Sequence, residues 1–571
     1  MKHDDEDAAA LARDYDVVVA GSGAAGLTTA ITAAVHGLRV LVVEKTDQFG
    51  GSTAVSGGTV WVPGNTAMQA VGLSDSAVQA REYLRHSIGP GADDALLDAF
   101  LRNAPAMLAF IHQHTPVRLQ ARASAPDYYP ELPGWMPGGR AMDPAPYDAR
   151  ALGEWFSLLR RPLHSFLVLG GMMVNRADIG HLMGMWRSGT AFVESLRLLG
   201  RYAADRLRYP RGTRLVLGNA LAAGLLRAAL DAGVTLVRNT RALSLHSAKG
   251  RVGGLTVEHA TRRYTVHARC GVVLACGGFA ADAGLRSQHI FSGHHVSMAP
   301  AGNIGDAITI AAAVGGHCAE GNSSNAFLTP VSTLHDSEGG VTHYPHLLMD
   351  RAKPGVIAVD HTGSRFANEA QCYHEFGRAM HRGRDGQPIE TAWLVADARA
   401  LRQYGLGLVR PGRLWPRRRF LARGYLLRAR TLRGLAARMG VPEGALERTV
   451  EHHNDFAVSG HDADFHKGES PYDRYLGDAA QRPNPCLAPI VSPPFYAVKI
   501  HPGDIGSSRG LRTDPHARVL NAQSEPIGGL YCCGNDMNSI MAGSYPGAGI
   551  TLGPAMTFGF IAARAMMDEQ R

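Results

Sequence analysis

Two kinds of residue in this sequence are spaced for chemistry: glycines that can open backbone N–H groups to an anion, and tyrosines in three short motifs. Gly21-Ser22-Gly23-Ala24-Ala25-Gly26 has G-x-G-x-x-G spacing. It follows the apolar run Asp16 to Ala20 and opens the Ala/Thr-rich stretch Leu27 to His36. A second apolar run, Leu38 to Val43, then ends at Glu44. Strand, glycine turn, helix, strand and terminal acid together form a dinucleotide fingerprint. Gly21 permits the tight turn. Gly23 lets a pyrophosphate reach the backbone at a helix N-terminus, and Gly26 lets helix and strand pack closely. Glu44 is placed to accept hydrogen bonds from ribose hydroxyls. The tyrosine motifs are Pro126-Asp127-Tyr128-Tyr129-Pro130-Glu131, Cys372-Tyr373-His374-Glu375 and Ser544-Tyr545-Pro546-Gly547-Ala548-Gly549. A phenol ionises near pH 10, so it is a poor base at neutral pH unless its phenolate is stabilised. No G-x-S-x-G elbow and no zinc spacing occurs, and His452 and His453 read as structural or surface residues.

The elements that must position these groups lie at both ends of the chain. A β-rich stretch from Thr235 to Val266 leads into the apolar run Gly271 to Gly278, and a third β segment spans Gly528 to Asn535. Between them, Ala299 to Pro493 reads as helical stretches and loops. The expected fold is mixed α/β and α+β. A discontinuous Rossmann-like domain is built from residues 1–298 and 494–571, with a substrate domain inserted at 299–493. A chain of 571 residues, 45% hydrophobic, is long enough for two or three cores. Seven cysteines without a C-x-x-C pair fit a reduced, cytoplasmic setting. No run of about 18 uncharged apolar residues predicts a membrane span, and the acidic N-terminus does not read as a signal peptide. The formal charge of +8 raises two partners, anionic lipid and nucleic acid.

A second Gly/Ser-rich loop follows Glu44 at once: Lys45, Gly51, Ser52, Thr53, Ser56, Gly57 and Gly58 fall within it. Such a loop suits a flavin wrapped on several sides. The stretch resembles the flavoprotein-subunit family that includes fumarate reductases and ketosteroid dehydrogenases. The resemblance implies FAD contacts from Ala24, Ala25, Ala242, Gly277, Gly534, Asn535, Asp536, Gly549 and Leu552. No histidine lies between Lys45 and Val62, so the FAD is expected to be non-covalent. A helix starting near Gly553 would aim its N-terminus at the flavin pyrimidine edge. The tyrosine motifs, Trp61-Val62-Pro63-Gly64 and Phe495 to Lys499 resemble the 3-ketosteroid Δ1-dehydrogenases over most of the length. That resemblance implies Tyr373 as the base that takes the C2 proton, with Tyr128 as its partner. Tyr545 and the Gly549 N–H would be donors to the C3 carbonyl. Tyr129 competes with Tyr128 for its role. An enolate oxygen held by two donors makes the C2 proton acidic, and the C1 hydride then goes to FAD.

Leu152 to Arg214 reads as a basic, apolar insert. It contains Phe166 to Val174, Met183, Met185 and Trp186. A helical stretch follows in which Phe192, Leu196, Leu199, Ala203 and Leu207 share a face. Arg160, Arg161, Arg176, Arg187, Arg206, Arg211 and Arg214 outnumber its acids. A second basic cluster runs from Arg410 to Arg430, interleaved with Leu414, Trp415, Phe420, Tyr425 and Leu426. Arginine beside Leu, Met and Phe favours peripheral contact with the inner membrane face over nucleic acid. An oligomer contact, hence a homo-oligomer, and a solvated face are the other readings. The insert resembles that of the membrane-associated subgroup acting on cholest-4-en-3-one-like steroids. That implies a steroid with a long C17 side chain; the electron acceptor is expected to be quinone-like or another acceptor. Because the cofactor motifs lie outside the insert, it is expected to be dispensable for flavin binding. Competing activities are Δ4-(5α) dehydrogenation, a non-catalytic membrane flavoprotein, and fumarate-type reduction. The last would need Arg378 and Arg509 as carboxylate clamps.

Overall fold

The computed structural model describes residues 2–384, 386–412 and 416–569. Arg413, Leu414 and Trp415 of the second basic cluster lie outside the described residues. Valine-rich runs buried on both faces build a parallel sheet. Its strands follow the order Thr235–Val237, Val40–Val43, Tyr15–Ala20, Arg262–Leu274, Pro526–Cys532. The N- and C-terminal parts of the chain thus share one sheet. Thr240–Ala248 and Arg251–His259 extend Arg262–Leu274 as an antiparallel layer. Helix α1 (Ala24–Val35) follows the glycine turn. It lies so close to the C-terminal helix that a Cβ on Gly559 would sit 2.5 Å from the Ala25 carbonyl oxygen.

The second sheet follows the order Val341–Pro345, Ala326–His335, Phe495–Ser507, Ala392–Ala396, Val356–Val359. Val296–Ser297 and Leu426–Ala429 also pair with Phe495–Ser507. This sheet therefore reaches past the expected boundary at 493, and its central strand comes from the segment assigned to the nucleotide domain. Its strands Val356–Val359 and Ala392–Ala396 are short and fully buried, and such runs carry no period-2 alternation in the sequence. Against the edge strand Val356–Val359, Arg365, Glu369, Asp462 and Lys467 form a buried ion cluster. Glu369 holds Arg365 at 2.9 Å and Lys467 at 3.2 Å, and Arg365 reaches Asp462 at 2.7 Å.

The insert is only partly an appendage. Its start threads against the nucleotide domain, where the Arg160 N–H donates to the Phe49 carbonyl at 2.9 Å. Met172, Met173 and Val174 are buried. Arg214 pairs with Asp178 at 2.8 Å, and Arg211 lies 4.5 Å over the Phe156 ring. The helix α2 (Gly189–Arg206) keeps Phe192, Val193 and Leu196 exposed, and Met183, Trp186 and Leu207 are exposed nearby. In the second cluster Phe420, Tyr425 and Leu426 are core residues, not the exposed apolar partners expected. The neighbouring Arg418, Arg419, Arg423, Arg428 and Arg430 are exposed. Among the described residues no helix is long and apolar enough to cross a membrane.

Candidate active site

One continuous cavity runs from the glycine fingerprint to the three tyrosines. At its nucleotide end the turn is built by exclusion. Gly21 has φ +111°, and a Cβ there would strike the Ala275 carbonyl oxygen at 2.1 Å. A Cβ on Gly26 would strike the Gly21 carbonyl oxygen at 2.1 Å. At Gly23 the nearest atom to a Cβ is Thr53 Oγ1, at 3.7 Å, so the space before it is open. The first turn of α1 has no side-chain cap on Gly23 and carries no acid, which leaves donors for a pyrophosphate. The Ala24 N–H is the exception, donating to Thr53 Oγ1 at 2.9 Å. Glu44 is buried, and its carboxylate accepts from Ser22 Oγ at 2.6 Å and Thr46 Oγ1 at 2.8 Å, which aims it into the cavity.

Of the expected cofactor residues, Gly21, Gly23, Ala24, Ala25, Glu44, Lys45, Gly51, Ser52, Thr53, Ser56, Gly57, Gly58, Ala242, Gly277, Gly534, Asn535, Gly549 and Leu552 line the cavity. Two do not. Gly26 is packed beneath the turn. Asp536 is fully buried behind the wall, accepting from the Gly278 N–H at 2.8 Å and from the Cys276 N–H. Burial pushes its carboxyl up to about 6. It braces the loop rather than facing a ligand. Helix α3 (Tyr373–Arg382) and α4 (Pro471–Leu476) flank the tyrosine end. Helix α5 (Leu552–Asp568) begins at the cavity, with no side-chain cap at Thr551. Two uncapped helix N-termini at opposite stations of one cleft suit a dinucleotide with a pyrophosphate and an electron-accepting ring.

The tyrosine end is assembled from three distant segments. Tyr373 opens α3, whose N-cap Cys372 Sγ accepts the Glu375 N–H at 3.5 Å. Tyr128 Oη lies 3.5 Å from Tyr373 Oη. The Tyr545 ring stacks 5.7 Å from that of Tyr128 and meets that of Tyr373 edge-on at 5.1 Å. All three are buried and line the cavity with Gly549. Burial pushes the Tyr128 and Tyr373 hydroxyls well above their usual range; Tyr128 and Tyr545 reinforce the rise at Tyr373, while the bond to Tyr373 opposes it at Tyr128. Burial takes Tyr545 to about 12. Tyr129 turns away, and its hydroxyl donates to Glu375 at 3.0 Å. His374, ring-to-ring 5.8 Å from Tyr545, accepts the Leu328 N–H, and burial lowers it to about 4.

A buried polar node ties these segments together. Asp127 accepts from Trp61 Nε1 at 2.9 Å and from Arg140 at 2.7 Å, and Arg140 also pairs with Asp75 at 2.7 Å. Burial pushes the Asp127 carboxyl up to about 6, against the pull of Arg140 and Trp61. The next residue, Tyr128, donates its N–H to Pro546 O at 2.8 Å, while the Trp61 N–H donates to Gly549 O at 3.1 Å. Tyr83 Oη also donates to Pro546 O, at 2.6 Å. The node thus sets the spacing between Tyr128 and the Tyr545–Gly549 loop.

Sequence reasoning did not reach Asn303, whose Nδ2 bonds Ser52 Oγ at 2.9 Å, or the apolar wall of Leu163, Phe166, Leu347, Leu348 and Ile505. It also missed Arg122 and Arg160 as cavity residues. No local motif marks any of them. Arg160, Leu163 and Phe166 belong to the insert, so the insert contributes to the cavity wall although the cofactor motifs lie outside it. Arg378 pairs with Glu375 at 3.1 Å, Arg509 bonds the Ala319 carbonyl at 2.9 Å, and neither lines the cavity. The dicarboxylate clamp is therefore absent from the cavity wall among the described residues.

The model of the FAD binding domain family matches residues 16–552. The 3-oxosteroid 1-dehydrogenase of Mycobacterium tuberculosis is 38% identical over 571 residues, covering 98% of this chain and 99% of its own. The 4-oxocyclohex-2-ene-1-carboxylate 5-dehydrogenase of Sinomonas cyclohexanicum is 37% identical over 96% of this chain and 93% of its own. Among solved structures, the 3-ketosteroid Δ1-dehydrogenase of Sterolibacterium denitrificans, in complex with 1,4-androstadiene-3,17-dione, is 40% identical with a TM-score of 0.90. That match covers 97% of this chain and 100% of the other.

Proposed function

The chain belongs to the FAD binding domain family, and from that premise we propose that it is a flavin-dependent 3-ketosteroid Δ1-dehydrogenase. It converts a 4-ene-3-ketosteroid to the 1,4-diene. The observation that carries this reading is the placement of three buried phenols and Gly549 in the same cavity as the dinucleotide cradle. Non-covalent FAD, bound in that cradle, supplies the acceptor for the C1 hydride. Tyr545 Oη and the Gly549 N–H hold the C3 oxygen and stabilise the enolate as it forms. Gly549 has φ +93°, and a Cβ there would meet Thr59 O and Trp61 N at 2.7 Å, so no other residue presents this N–H in the same way. Tyr373 takes the C2 proton and Tyr128 shares it. The apolar wall excludes water from the reacting carbons. Turnover of androst-4-ene-3,17-dione with an artificial electron acceptor, and identification of the product by mass and NMR, tests this. Formation of the 1,4-diene supports it, and an unchanged substrate refutes it.

A ring-ketone carboxylate is the second reading, favoured by the Sinomonas cyclohexanicum relative and by a cation, Arg122, in the cavity wall. Parallel turnover of 4-oxocyclohexanecarboxylate separates the two. The exposed apolar face of α2, with Trp186 and Leu207 and with exposed Arg187, Arg197 and Arg208 beside it, supports peripheral binding to an anionic membrane face. A lipid-borne steroid with a long C17 side chain and a quinone-like acceptor fit such a location. Retention on anionic vesicles that is lost at high salt is the expected result, and a protein that stays free at low salt removes the membrane reading.

A further inference from the structure

The proposed base has an electrostatic problem. Tyr373 and Tyr128 face each other, Tyr545 and Cys372 in a buried cluster, and burial opposes ionisation of both phenols. Three cationic side chains line the cavity among the described residues. Lys45 is paired with Asp306 at 2.6 Å, and Arg160 bonds Thr46 Oγ1 at 2.8 Å, both at the nucleotide end. The third is Arg122. Its backbone is fixed by its N–H to Ala141 O and by the Gly139 N–H to its carbonyl, each at 2.9 Å. Helix α4 then places its side chain. Tyr472 packs its ring 4.7 Å from that of Tyr128. Three residues on, and so on the same helix face, the Tyr475 hydroxyl bonds the Arg122 guanidinium. One helix face therefore holds the Tyr128 ring and the Arg122 guanidinium side by side.

We propose that Arg122, held by Tyr475, is the positioning cation that keeps the Tyr128–Tyr373 pair available as a base. The inference rests on Tyr373 being the group that takes the C2 proton. The C2–H bond breaks as its proton joins the phenolate oxygen, and the electron pair moves onto the C3 oxygen held by Tyr545 and Gly549. The proton later leaves to solvent, which restores the phenolate. In water a guanidinium would do little for a phenolate, but beside buried phenols the same charge acts through a lower effective dielectric. Arg122 opposes the rise that burial imposes on the Tyr128 phenol. Burial would weaken the guanidinium's own charge, but Asp143, Tyr475 and Tyr128 together hold it protonated. The other charged groups around the pair are Asp143, 3.5 Å from Arg122, Arg176, which bonds Tyr475 from the solvent side, and Arg351 behind Tyr472.

The test uses the holoenzyme and androst-4-ene-3,17-dione in D₂O, with kcat and C2 deuterium wash-in followed against pH. Arg122→Gln is expected to move the midpoint of both profiles upward by about one pH unit. That lowers the rate near pH 7 about tenfold while the high-pH plateau survives. Arg122→Lys keeps the charge and restores most of the profile. Tyr475→Phe, which frees the guanidinium without removing it, shifts the profile in the same direction by less. Flavin content and near-UV circular dichroism check each variant's fold. If Arg122→Gln does not retain flavin, the Tyr475→Phe profile decides, and an unshifted midpoint there overturns the proposal. It also fails if Arg122→Gln leaves the midpoint unchanged, or changes only KM for a ring-ketone carboxylate. In the latter case Arg122 is a substrate clamp. Tyr373→Phe is the separate control: exchange that survives it refutes the reading of the base, whatever Arg122 does.

Discussion

Tyr545→Phe isolates one hydroxyl from the packing that surrounds it. The Tyr545 ring is 3% exposed and is fixed by Tyr128, Tyr373 and Phe327, whose ring lies 5.5 Å away. Phenylalanine keeps all of these ring contacts, so fold and flavin content should be unchanged. What is lost is one of two donors to the C3 oxygen at a buried position. Removing one such donor costs about 2.7–4 kcal/mol at the transition state. At about 1.36 kcal/mol per tenfold, the rate of flavin reduction should fall roughly 100- to 900-fold. Because the donor acts chiefly on the charge that develops as C2 loses its proton, the fall belongs in kcat more than in KM. Burial holds the wild-type hydroxyl protonated up to about 12. The deficit should therefore be constant from about pH 6 to about pH 10, unlike that of a lost base. Anaerobic stopped-flow mixing with the steroid, following flavin bleaching, measures it. A loss under about threefold, or a deficit that vanishes at high pH, would falsify the assignment of Tyr545 as an enolate donor.

Tyr128→Phe should slow turnover at least about tenfold, whereas Tyr129→Phe should be near wild type, since its hydroxyl serves Glu375 outside the cavity; steady-state rates of the pair compare them directly. Gly23→Ala should leave the apoprotein's unfolding curve unchanged, because the new methyl group meets no protein atom closer than 3.7 Å, yet weaken FAD binding tenfold or more as measured by fluorescence titration. Glu369→Gln leaves Arg365 and Lys467 facing only Asp462 in a buried cluster, and should cost about 3–5 kcal/mol in urea unfolding. Burial alone would raise the Glu369 carboxyl, but Arg365 and Lys467 hold it far below the usual carboxylate range. A depressed folded-state value contributes stability above the unfolded value and loses it as pH falls, so wild type should lose stability below about pH 4.5 more steeply than the glutamine variant.

Much of the cofactor arm was legible because its determinants are local. The strand, turn and helix around Gly21 to Gly26 form from consecutive residues. The steric demands of that turn admit glycine at fixed offsets, and the structure shows the collisions that enforce them. The Tyr-Pro-Gly-x-Gly motif was visible for the same reason, since the left-handed backbone at Gly549 must be written in the chain. What the sequence could not show depends on contacts between distant segments. Tyr128 and Tyr129 are adjacent and chemically alike, and long-range bonds, from Tyr128 N–H to Pro546 O and from Tyr129 N–H to Tyr83 Oη, turn one toward Tyr373 and the other toward Glu375. Phe420, Tyr425 and Leu426 looked like exposed partners of an arginine run, and the second sheet buried them. Arg122 carries no motif at all. Its place beside the tyrosines exists because Tyr472 and Tyr475, some 350 residues away, share one face of a short helix. Local sterics are encoded residue by residue, whereas the field at a buried group is the sum over whatever the fold brings near it, and that sum is known only when the chain is closed.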